Sequence, residues 1–425
     1  MIFRAFLLLM LALTPSWGQN TPNIILIMAD DMGYEVLGSS GGTSYATPHL
    51  DQLASQGVRF THAYAMPLCT PSRVQIMTGK YNFRNYERFG YLNPKERTFA
   101  NLLQDTGYQT AIAGKWQLEG GEEAPAHFGF DKYCLWQIRS GDFWYRYKNP
   151  VIYQNGEKRK DTQGGYGPEV FTEFILNFMQ QAAEEEDPFL VYYPMCLVHD
   201  PFQPTPNQDA FETYEIEGLN DTTYFRDMVS FMDQQVGRIA KQVETLGIQD
   251  NTLILFTGDN GTDRDVVSWM GSRRVPGMKG LPVDAGTHVP LIAHWAGQPG
   301  QGRVVDDLID FTDVLPTLLE AAQVEKPADF VTDGRSFLPQ ITDQKGSPRE
   351  WIYCDYNSGK SQFPVVHYAQ DHQYKLYGDS TFYHFAQDLN EQHPLNLENL
   401  SQKEMKHYQK LKSVIKEYES QKAHP

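Results

Sequence analysis

Asn23-Ile24-Ile25-Leu26-Ile27-Met28-Ala29-Asp30-Asp31-Met32-Gly33 is the stretch of sequence that decides the fold. Its first seven residues form a nearly continuous apolar run, and two carboxylates follow at once. A short apolar run without alternation is typical of a strand that is buried on both faces of a parallel sheet. We therefore predict a buried strand over residues 23–29 that ends in a polar loop.

Three further apolar runs have the same design, and each ends in polar residues. They are 252–256 before Thr257-Gly258-Asp259-Asn260-Gly261, 189–193 before His199, and 110–114 before Lys115. Helical patterns lie between the runs, at residues 47–57, 98–107, 171–186 and 223–246. This alternation predicts the α/β class, with helices covering both faces of the sheet. Ligands of such sheets bind beyond the carboxyl ends of the strands, so we expect these polar residues to share one cleft. The residues are Asp30, Asp31, Lys115, His199, Asp259 and Asn260.

The chain divides into three predicted parts. Residues 1–18 combine one basic residue, Arg4, with an apolar run and small residues near its end, which is typical of a secretory signal peptide. A buried N-terminal helix is the alternative, but the run has no polar face. Residues 19–345 carry the strand–helix alternation and form the predicted catalytic domain. Residues 346–425 show short strand patterns and a polar closing helix, so we predict a C-terminal α+β subdomain with a small antiparallel sheet.

The charge of the chain limits its partners. With 53 acidic and 36 basic residues, the 425-residue chain carries a formal charge of −17, which argues against a nucleic-acid partner. Any anionic substrate must then be captured by a local basic pocket. No later stretch has eighteen uninterrupted apolar residues, so we expect no stable membrane anchor. The predicted signal peptide implies a periplasmic or extracellular location.

The cysteines are too few for a dense disulfide framework. Cys69, Cys134, Cys196 and Cys354 show no C-x-x-C spacing of the metal-binding type. We expect at most two disulfides, and one if Cys69 is reserved for chemistry. The pairing of the other three is left open.

The segment Leu68-Cys69-Thr70-Pro71-Ser72-Arg73 places a cysteine at the start of a predicted helix. Pro71 suits the first helical residue, and Gly79 suits the end of the helix. The free N–H groups at a helix N-terminus and Arg73 one turn later both favour an anion at Cys69. On these grounds Cys69 is either a thiolate nucleophile of low pKa or a buried cysteine before a capped helix.

The residues around Cys69 match a known pattern. Cys69-Thr70-Pro71-Ser72-Arg73 followed by Thr78-Gly79-Lys80 resembles the signature of the type I, formylglycine-dependent sulfatases, an arylsulfatase-like family of the alkaline phosphatase superfamily. The resemblance runs from Asn23 to about Asn396. It includes Asp30-Asp31, Thr47-Pro48-His49-Leu50-Asp51, Gly114-Lys115-Trp116, His199, Asp259-Asn260-Gly261 and Lys279 before Val289-Pro290. It implies an alkaline-phosphatase-like fold with a mixed, mostly parallel central sheet, and it implies the hydrolysis of sulfate esters.

The resemblance also implies a role for each site residue. Cys69 would be oxidised to formylglycine by a formylglycine-generating or sulfatase-maturating enzyme during export, and the hydrated aldehyde would attack sulfur. One calcium ion would be held by oxygen ligands from Asp30, Asp31, Asp259 and Asn260. Four cationic or proton-carrying residues would surround the sulfate. Arg73 and Lys115 would hold the formylglycine and the sulfate, while His199 and Lys279 would contact the sulfate and protonate the leaving oxygen.

One residue departs from the pattern of this family. The common Gly-Lys-Trp-His is here Gly114-Lys115-Trp116-Gln117. The family's histidine is credited with taking the proton that triggers sulfate release, whereas an amide cannot act as a base at neutral pH. We therefore expect Gln117 to contribute a hydrogen bond. Either another group collects the proton, or a metal-bound carboxylate does, or sulfate release is slower.

The substrate is the least determined feature. Arg273 and Arg274 are candidates for binding further anionic groups of a sulfated carbohydrate, or are ordinary exposed loop charges. A sulfated glycan or oligosaccharide is the predicted substrate. The alternatives are a formylglycine-dependent phosphodiesterase or phosphonate hydrolase, and a sulfated-glycan-binding pseudoenzyme, the latter suggested by Gln117.

Overall fold

Parallel strands that end at one edge of a large sheet are the main feature of the fold. The computed structural model describes residues 21–139, 141, 145–216 and 218–422, so the predicted signal peptide over 1–18 lies outside the described residues. The strands are β1 (Asn23–Ala29), β2 (Val58–Tyr64), β3 (Gln109–Lys115), β4 (Lys132–Trp136), β5 (Ile152–Gln154), β6 (Glu157–Lys158), β7 (Phe189–Pro194), β8 (Thr252–Gly258), β9 (Val267–Met270), β10 (Arg273–Pro276), β11 (His288–His294), β12 (Arg303–Asp310), β13 (Ile352–Tyr356), β14 (Val366–Gln370), β15 (Lys375–Tyr377) and β16 (Phe382–Tyr383). The α-helices are α1 (Pro48–Gln56), α2 (Cys69–Thr78), α3 (Asn82–Asn85), α4 (Phe99–Gln104), α5 (Ala124–His127), α6 (Gly167–Glu185), α7 (Phe225–Thr245), α8 (Asp284–Thr287), α9 (Val314–Ala321), α10 (Leu338–Ile341) and α11 (Gln402–Lys422).

The large sheet has the strand order β12-β2-β11-β8-β1-β7-β3-β4-β5-β6. Its central strands, from β8 to β4, run parallel, while β11 is antiparallel to both β8 and β2. The strand β1 has the predicted bounds and lies between β7 and β8, with Ile25 opposite Val191 on one side and Ile254 on the other. The predicted α/β class with a mixed, mostly parallel sheet is confirmed.

Helices cover both faces of this sheet because successive strand residues point to opposite sides. On one face, Ile24 and Leu26 pack in a cluster with apolar side chains of α2, α4 and α9. On the other face, Ile25 and Ile27 pack in a cluster with those of α1, α6 and α7. The burial of both faces explains why β1 is an unbroken apolar run.

A second, antiparallel sheet with the order β13-β14-β15-β16 is formed by the chain after residue 345. The helix α11 covers it, and Leu411 and Tyr418 of this helix cluster with Tyr353 of β13. Tyr81, from the segment that follows α2, belongs to the same cluster. Another cluster joins the two sheets directly, because Tyr64 of β2 and Leu308 of β12 pack with Ile352 of β13. The domain boundary at 345/346 stays a prediction.

Two general features bear on the expectations from sequence. The four cysteines, all within the described residues, are buried and unpaired. In the part of the chain that the structure describes, none of the helices combines the length and the apolar character needed to cross a membrane.

Candidate active site

The predicted cleft lies at the edge of the large sheet where the parallel strands end. Asp30 follows β1, Asp259 follows β8, and Lys115 is the last residue of β3. His199 lies in the loop after β7. Arg73 of α2 reaches the same edge, where its guanidinium donates to Asp259. Residues from four strand ends and one helix thus meet in one place, as predicted.

Three carboxylates and one amide form a buried cluster at the ends of β1 and β8. The side chains of Asp30, Asp31, Asp259 and Asn260 are fully buried. The Asp31 backbone N–H donates to Asp259 Oδ1 over 3.0 Å, and Asn260 Nδ2 donates to Asp31 Oδ1 over 2.9 Å. Asp31 has a φ of 58°, in the left-handed region that aspartate enters more readily than most residues. The structure brings together the four residues that were predicted as metal ligands.

Two cations lie against this carboxylate cluster. Lys115 Nζ lies 2.9 and 2.7 Å from the two carboxylate oxygens of Asp30. Arg73 Nη2 lies 3.0 Å from Asp259 Oδ2 and 3.6 Å from Asp30 Oδ1. Burial raises the pKa of Asp30, but the charges of Lys115, His199 and Arg73 outweigh it and hold this pKa well below its usual range. Burial and then the charge of Asp30 raise the pKa of Asp259 to about 8, against the effect of Arg73.

The cluster fits a hard divalent cation. It offers carboxylate and amide oxygens, the donors that calcium prefers, and no thiolate. Candidate ligand atoms of Asp30, Asp31 and His199 lie within 4.8 Å of one another. Asn260 Oδ1 is buried and accepts no hydrogen bond from any residue that the structure describes, a state that proteins rarely leave uncompensated. Burial and the charge of Asp30 disfavour the ionised form of Asp259, and a bound cation would favour that form again.

Cys69 is the first residue of α2 and is only 2% exposed. The helix therefore begins two residues before Pro71, which was expected to be its first residue. Proline is tolerated there because no N–H of the first turn donates within the helix. Gln117 Nε2 donates to Cys69 Sγ over 3.3 Å, and Thr70 Oγ1 donates to Gln117 Oε1 over 3.1 Å. Thr70 thereby fixes the orientation of the Gln117 amide against Cys69.

His199 and Lys279 form a second group beside the carboxylates. Lys279 Nζ contacts Asp31 Oδ2 and lies 3.1 Å from His199 Nε2. The other ring nitrogen, Nδ1, lies 2.7 Å from Asp200 Oδ1 and 3.0 Å from Arg146 Nη1. Burial lowers the pKa of Lys279, but the charge of Asp31 outweighs burial and leaves this pKa above its ordinary value. Burial raises the pKa of Asp200, but the hydrogen bond with His199 outweighs burial and leaves this pKa below its usual range.

The two arginines predicted to bind substrate make other contacts. Both lie on β10, which pairs with β9 in a hairpin. Arg273 Nη2 donates to Tyr34 Oη over 2.7 Å, and Tyr34 donates in turn to Asp284 over 3.0 Å. Arg274 is exposed. In the part of the chain that the structure describes, no hydrogen bond or ion pair joins either guanidinium to Cys69 or to the carboxylate cluster. Their role in substrate binding stays a prediction.

Sequence reasoning missed three residues that lie in or beside this pocket. Asp200 directly follows His199, and a carboxylate next to a candidate histidine was a usable signal. Arg146 comes from a loop after β4, and Lys360 comes from the loop between β13 and β14. Neither loop carries a motif or a periodic pattern, so nothing in the sequence indicated that it reaches the pocket.

Comparison with known proteins agrees with this geometry. The family model described as Sulfatase matches residues 22–324, and the model described as N-sulphoglucosamine sulphohydrolase, C-terminal, matches residues 279–423. The chain is 29% identical over 380 residues to N-acetylgalactosamine-6-sulfatase of Mus musculus, which covers 82% of this chain and 71% of the relative. It is 30% identical over 388 residues to arylsulfatase A of Bos taurus, which covers 84% of this chain and 74% of the relative.

A solved structure supports the fold independently. Ps i-CgsB, solved in complex with k-i-k-neocarrahexaose, superposes on this chain with a TM-score of 0.78. The match covers 95% of this chain and 93% of that chain, at 23% sequence identity. At this identity the likeness shows a shared fold, including the second sheet after residue 345.

Proposed function

The chain belongs to the sulfatase family and is a sulfuric ester hydrolase, and from this premise we propose that it removes sulfate from a sulfated glycan or oligosaccharide with a formylglycine formed from Cys69 and one calcium ion. The observation that carries this proposal is that Gln117, two residues after Lys115, donates to Cys69 Sγ, while Arg73 and Lys115 are bonded to Asp259 and Asp30 of the buried carboxylate cluster. This arrangement supports an anion site at the start of α2 next to a cluster of oxygen ligands for a cation.

Two groups outside the genetically encoded side chains would complete the site. A hydrated formylglycine at position 69 supplies the nucleophilic oxygen. A calcium ion held by Asp30, Asp31, Asp259 and Asn260 supplies positive charge next to the sulfate. Membership of the family supports both groups, and the oxygen ligands of these residues support the cation.

The chain's own cations balance the charge of the sulfate ester. Arg73 and Lys115 are buried and fixed by their bonds to Asp259 and Asp30, so they are oriented before substrate binds. Lys279 is fixed by Asp31 in the same way. Donors that are held in place stabilise a developing negative charge better than mobile ones, because little reorganisation is needed in the transition state.

Protonation of the leaving oxygen falls to the pair of His199 and Lys279. His199 Nε2 and Lys279 Nζ lie 3.1 Å apart, so one oxygen atom can contact both. Asp200 Oδ1 lies 2.7 Å from Nδ1 of His199, and this contact holds the ring with Nε2 facing Lys279. Gln117 holds the group at position 69 through a hydrogen bond, and its amide cannot take up a proton at neutral pH.

A carbohydrate substrate is supported by the relatives. One relative is named for the 6-sulfate of N-acetylgalactosamine, and the similar solved structure is in complex with k-i-k-neocarrahexaose. An export route and a maturation enzyme that acts on Cys69 belong to the same proposal, with a periplasmic or extracellular site of action.

Two measurements on the purified chain test the proposal. Mass spectrometry of the peptide that contains Cys69 should show a mass about 18 Da below that of the cysteine form, because CH2–SH becomes CHO. Turnover of sulfate esters should exceed that of matched phosphate esters by orders of magnitude. Cys69→Ala should abolish turnover, whereas Cys134→Ala, which removes another buried thiol, should retain it. An unmodified Cys69 in a host with the maturation enzyme, or dominant phosphate turnover, would overturn the proposal.

A further inference from the structure

A half-buried lysine from the C-terminal sheet stands at the rim of the active site. Lys360 lies in the loop between β13 and β14, and its Nζ lies 3.6 Å from the centroid of the Phe89 ring. Phe89 packs against the apolar cluster that contains Cys69 and Tyr356. The ammonium group of Lys360 therefore lies on a ring that packs against the cluster containing Cys69.

The loop that carries Lys360 is fixed on two sides. Tyr86 donates to the carbonyl oxygen of Ser358 over 3.3 Å, and the Lys360 N–H donates to Ser358 Oγ over 3.2 Å. On the other side, Tyr356 donates to the carbonyl oxygen of Gly280 over 3.3 Å. These bonds tie the loop to the chain next to Lys279, so Lys360 does not depend on a mobile segment for its position.

Phe363 closes the same loop over Gly280. A Cβ at Gly280 would lie 2.0 Å from Phe363 Cε1, so only glycine lets the ring approach the backbone there. The phenyl ring thereby covers the residue that follows Lys279. The loop and the pocket are in direct contact, although their residues are about 80 positions apart in the chain.

Lys360 differs from the other cations of the pocket in having no anionic partner. Arg73 pairs with Asp259, Lys115 with Asp30, and Lys279 with Asp31. Within the described residues, no carboxylate and no hydrogen-bond acceptor lies within bonding distance of Lys360 Nζ. The cation–π contact with Phe89 stabilises the charge but leaves the N–H donors of the ammonium unused.

The electrostatic surroundings of Lys360 agree with a position that faces the pocket. Burial lowers its pKa below the ordinary value; Cys69 raises it, Lys279 and Lys115 lower it, and Asp31 raises it. A partly desolvated cation without a partner is unfavourable, and an anion that arrives with the substrate would relieve this.

We propose that Lys360 binds a second anionic group of the substrate, a carboxylate or a further sulfate, beside the sulfate ester that is cleaved. This inference rests on the proposed function. It makes the preferred substrate a sugar with at least two anionic groups, of which the second contributes binding. The Lys360 side chain is a substrate-binding group and takes no part in bond cleavage.

Matched substrates that differ by one anionic group test the inference. The probes are N-acetylglucosamine 6-sulfate against glucosamine-2-N,6-O-disulfate, and N-acetylgalactosamine sulfates against the same sugars linked to a uronate. We expect the unsubstituted enzyme to favour the doubly anionic member of at least one pair. Lys360→Met keeps the stem over Phe89 and removes the charge. It should lower kcat/KM for the doubly anionic member about 10-fold more than for its singly anionic partner.

Two controls make the outcomes distinct. Lys345→Met removes an exposed lysine outside the pocket and should leave both values of kcat/KM unchanged. Lys360→Arg should restore most of the preference for the second anion. Equal losses on both members of every pair, or no loss on either, would overturn the role of Lys360 while leaving the sulfatase proposal intact. Failure of the unsubstituted enzyme on every sulfate ester would overturn the proposed function and this inference together.

Discussion

The Gln117 amide lies against Cys69, donating to Sγ over 3.3 Å, and Thr70 fixes its orientation. A histidine at this position would keep a donor beside position 69 and add a group that titrates near neutral pH. Gln117 has a φ of 63°, a conformation that histidine also adopts more readily than most residues. The substitution Gln117→His is therefore compatible with the local backbone.

We predict that Gln117→His raises kcat about 10-fold above pH 7, because a base is added next to the proposed nucleophile. The gain should disappear below about pH 6, where the imidazole is protonated. The measurement is the pH profile of kcat for both proteins on one sulfate ester, with Gln117→Asn as the control that retains an amide. A lower kcat for the histidine variant at every pH would show that the amide itself is required.

Glu35 gives a pH dependence of stability that is separate from the pocket. Its carboxylate is fully buried, and Thr262 Oγ1 donates to Oε1 over 2.5 Å. Burial raises the pKa of Glu35 from 4.5 to about 7, more than the bond from Thr262 lowers it. Between these values the folded state binds more protons than the unfolded state, so stability falls as the pH rises from about 4.5 to 7.

We predict that Glu35→Gln removes the loss of folding stability that accompanies a rise in pH. The variant should gain stability relative to the unsubstituted chain by up to about 3 kcal/mol between pH 5 and pH 8, because each pH unit that separates the folded and unfolded pKa values of a carboxyl group corresponds to about 1.4 kcal/mol. Thermal unfolding at several pH values measures the difference, and Glu325→Gln, an exposed site, is the matched control. If the unfolding midpoints of Glu35→Gln and of the unsubstituted chain differed by the same amount at every pH, the pH dependence would not come from Glu35.

At the scale of residues, the sequence predicts the part of the site that follows buried strands. Asp30, Asp259 and Lys115 were placed correctly because parallel strands end at one edge of a sheet. Lys360 and Arg146 were missed because they come from loops, whose paths depend on tertiary contacts that no local pattern encodes. Phe89, whose ring contacts the Lys360 ammonium, was missed for the same reason.

Among the elements, β1 and β8 are the pair that positions the carboxylate cluster. Asn260 follows β8, and Asp31 follows β1. Asn260 Oδ1 accepts no hydrogen bond from the described residues. We predict that a calcium ion joins these two strand ends and stabilises the folded state. At a calcium concentration about 100 times the Kd, the expected gain is about 2.7 kcal/mol.

Differential scanning calorimetry with calcium and with a chelator measures this gain. Asn260→Ala removes one proposed ligand oxygen and should reduce the shift in melting temperature, whereas the exposed Asn399→Ala should not. An equal calcium shift in the two variants would mean that the ion binds elsewhere in the molecule.

Two elements show where patterns mislead. Pro290 lies inside β11, and a proline inside an apolar run argues against a strand. The structure accommodates it at an irregularity, because the pairing of β11 with β2 shifts register between Val289 and Leu291. Pro71 misplaced the start of α2 by two residues, since proline is tolerated anywhere in the first turn. Element boundaries of this kind depend on hydrogen bonds with neighbours, which composition does not reveal.

Across the whole molecule, the second sheet is joined to the first by a buried charged network. Arg349 Nε lies 2.8 and 2.7 Å from the two carboxylate oxygens of Asp313, and its Nη1 lies 3.1 Å from Tyr81 Oη. Burial raises the pKa of Asp313 to about 6, against the charge of Arg349. The sequence indicated that strand–helix alternation gives way to short strands near residue 345, but it did not indicate the contacts between residues 19–345 and 346–425.

The apolar contacts have the same consequence as this network. Cys69 shares a cluster with Tyr356 of β13, so the wall of the active site is built from the start of α2 and from the second sheet. Separating the sheets would expose this cluster and leave Arg349 and Asp313 without their partners. A boundary that is crossed by apolar and charged contacts transmits unfolding from one side to the other, which is the condition for cooperative behaviour.

We therefore predict that the chain unfolds in a single transition, with both sheets melting together. Arg349→Met leaves the Asp313 carboxylate buried without its cation and should lower the free energy of unfolding by about 3–5 kcal/mol while keeping one transition. Arg335→Met, at an exposed arginine nearby, should change it by less than about 0.5 kcal/mol. Calorimetry gives the number of transitions, and near-ultraviolet circular dichroism follows the packing of the aromatic residues in both sheets. If the Arg349 variant lost the second sheet in a separate, earlier transition, residues 346–425 would be an independent domain, and the contacts around Cys69 would contribute little to cooperativity.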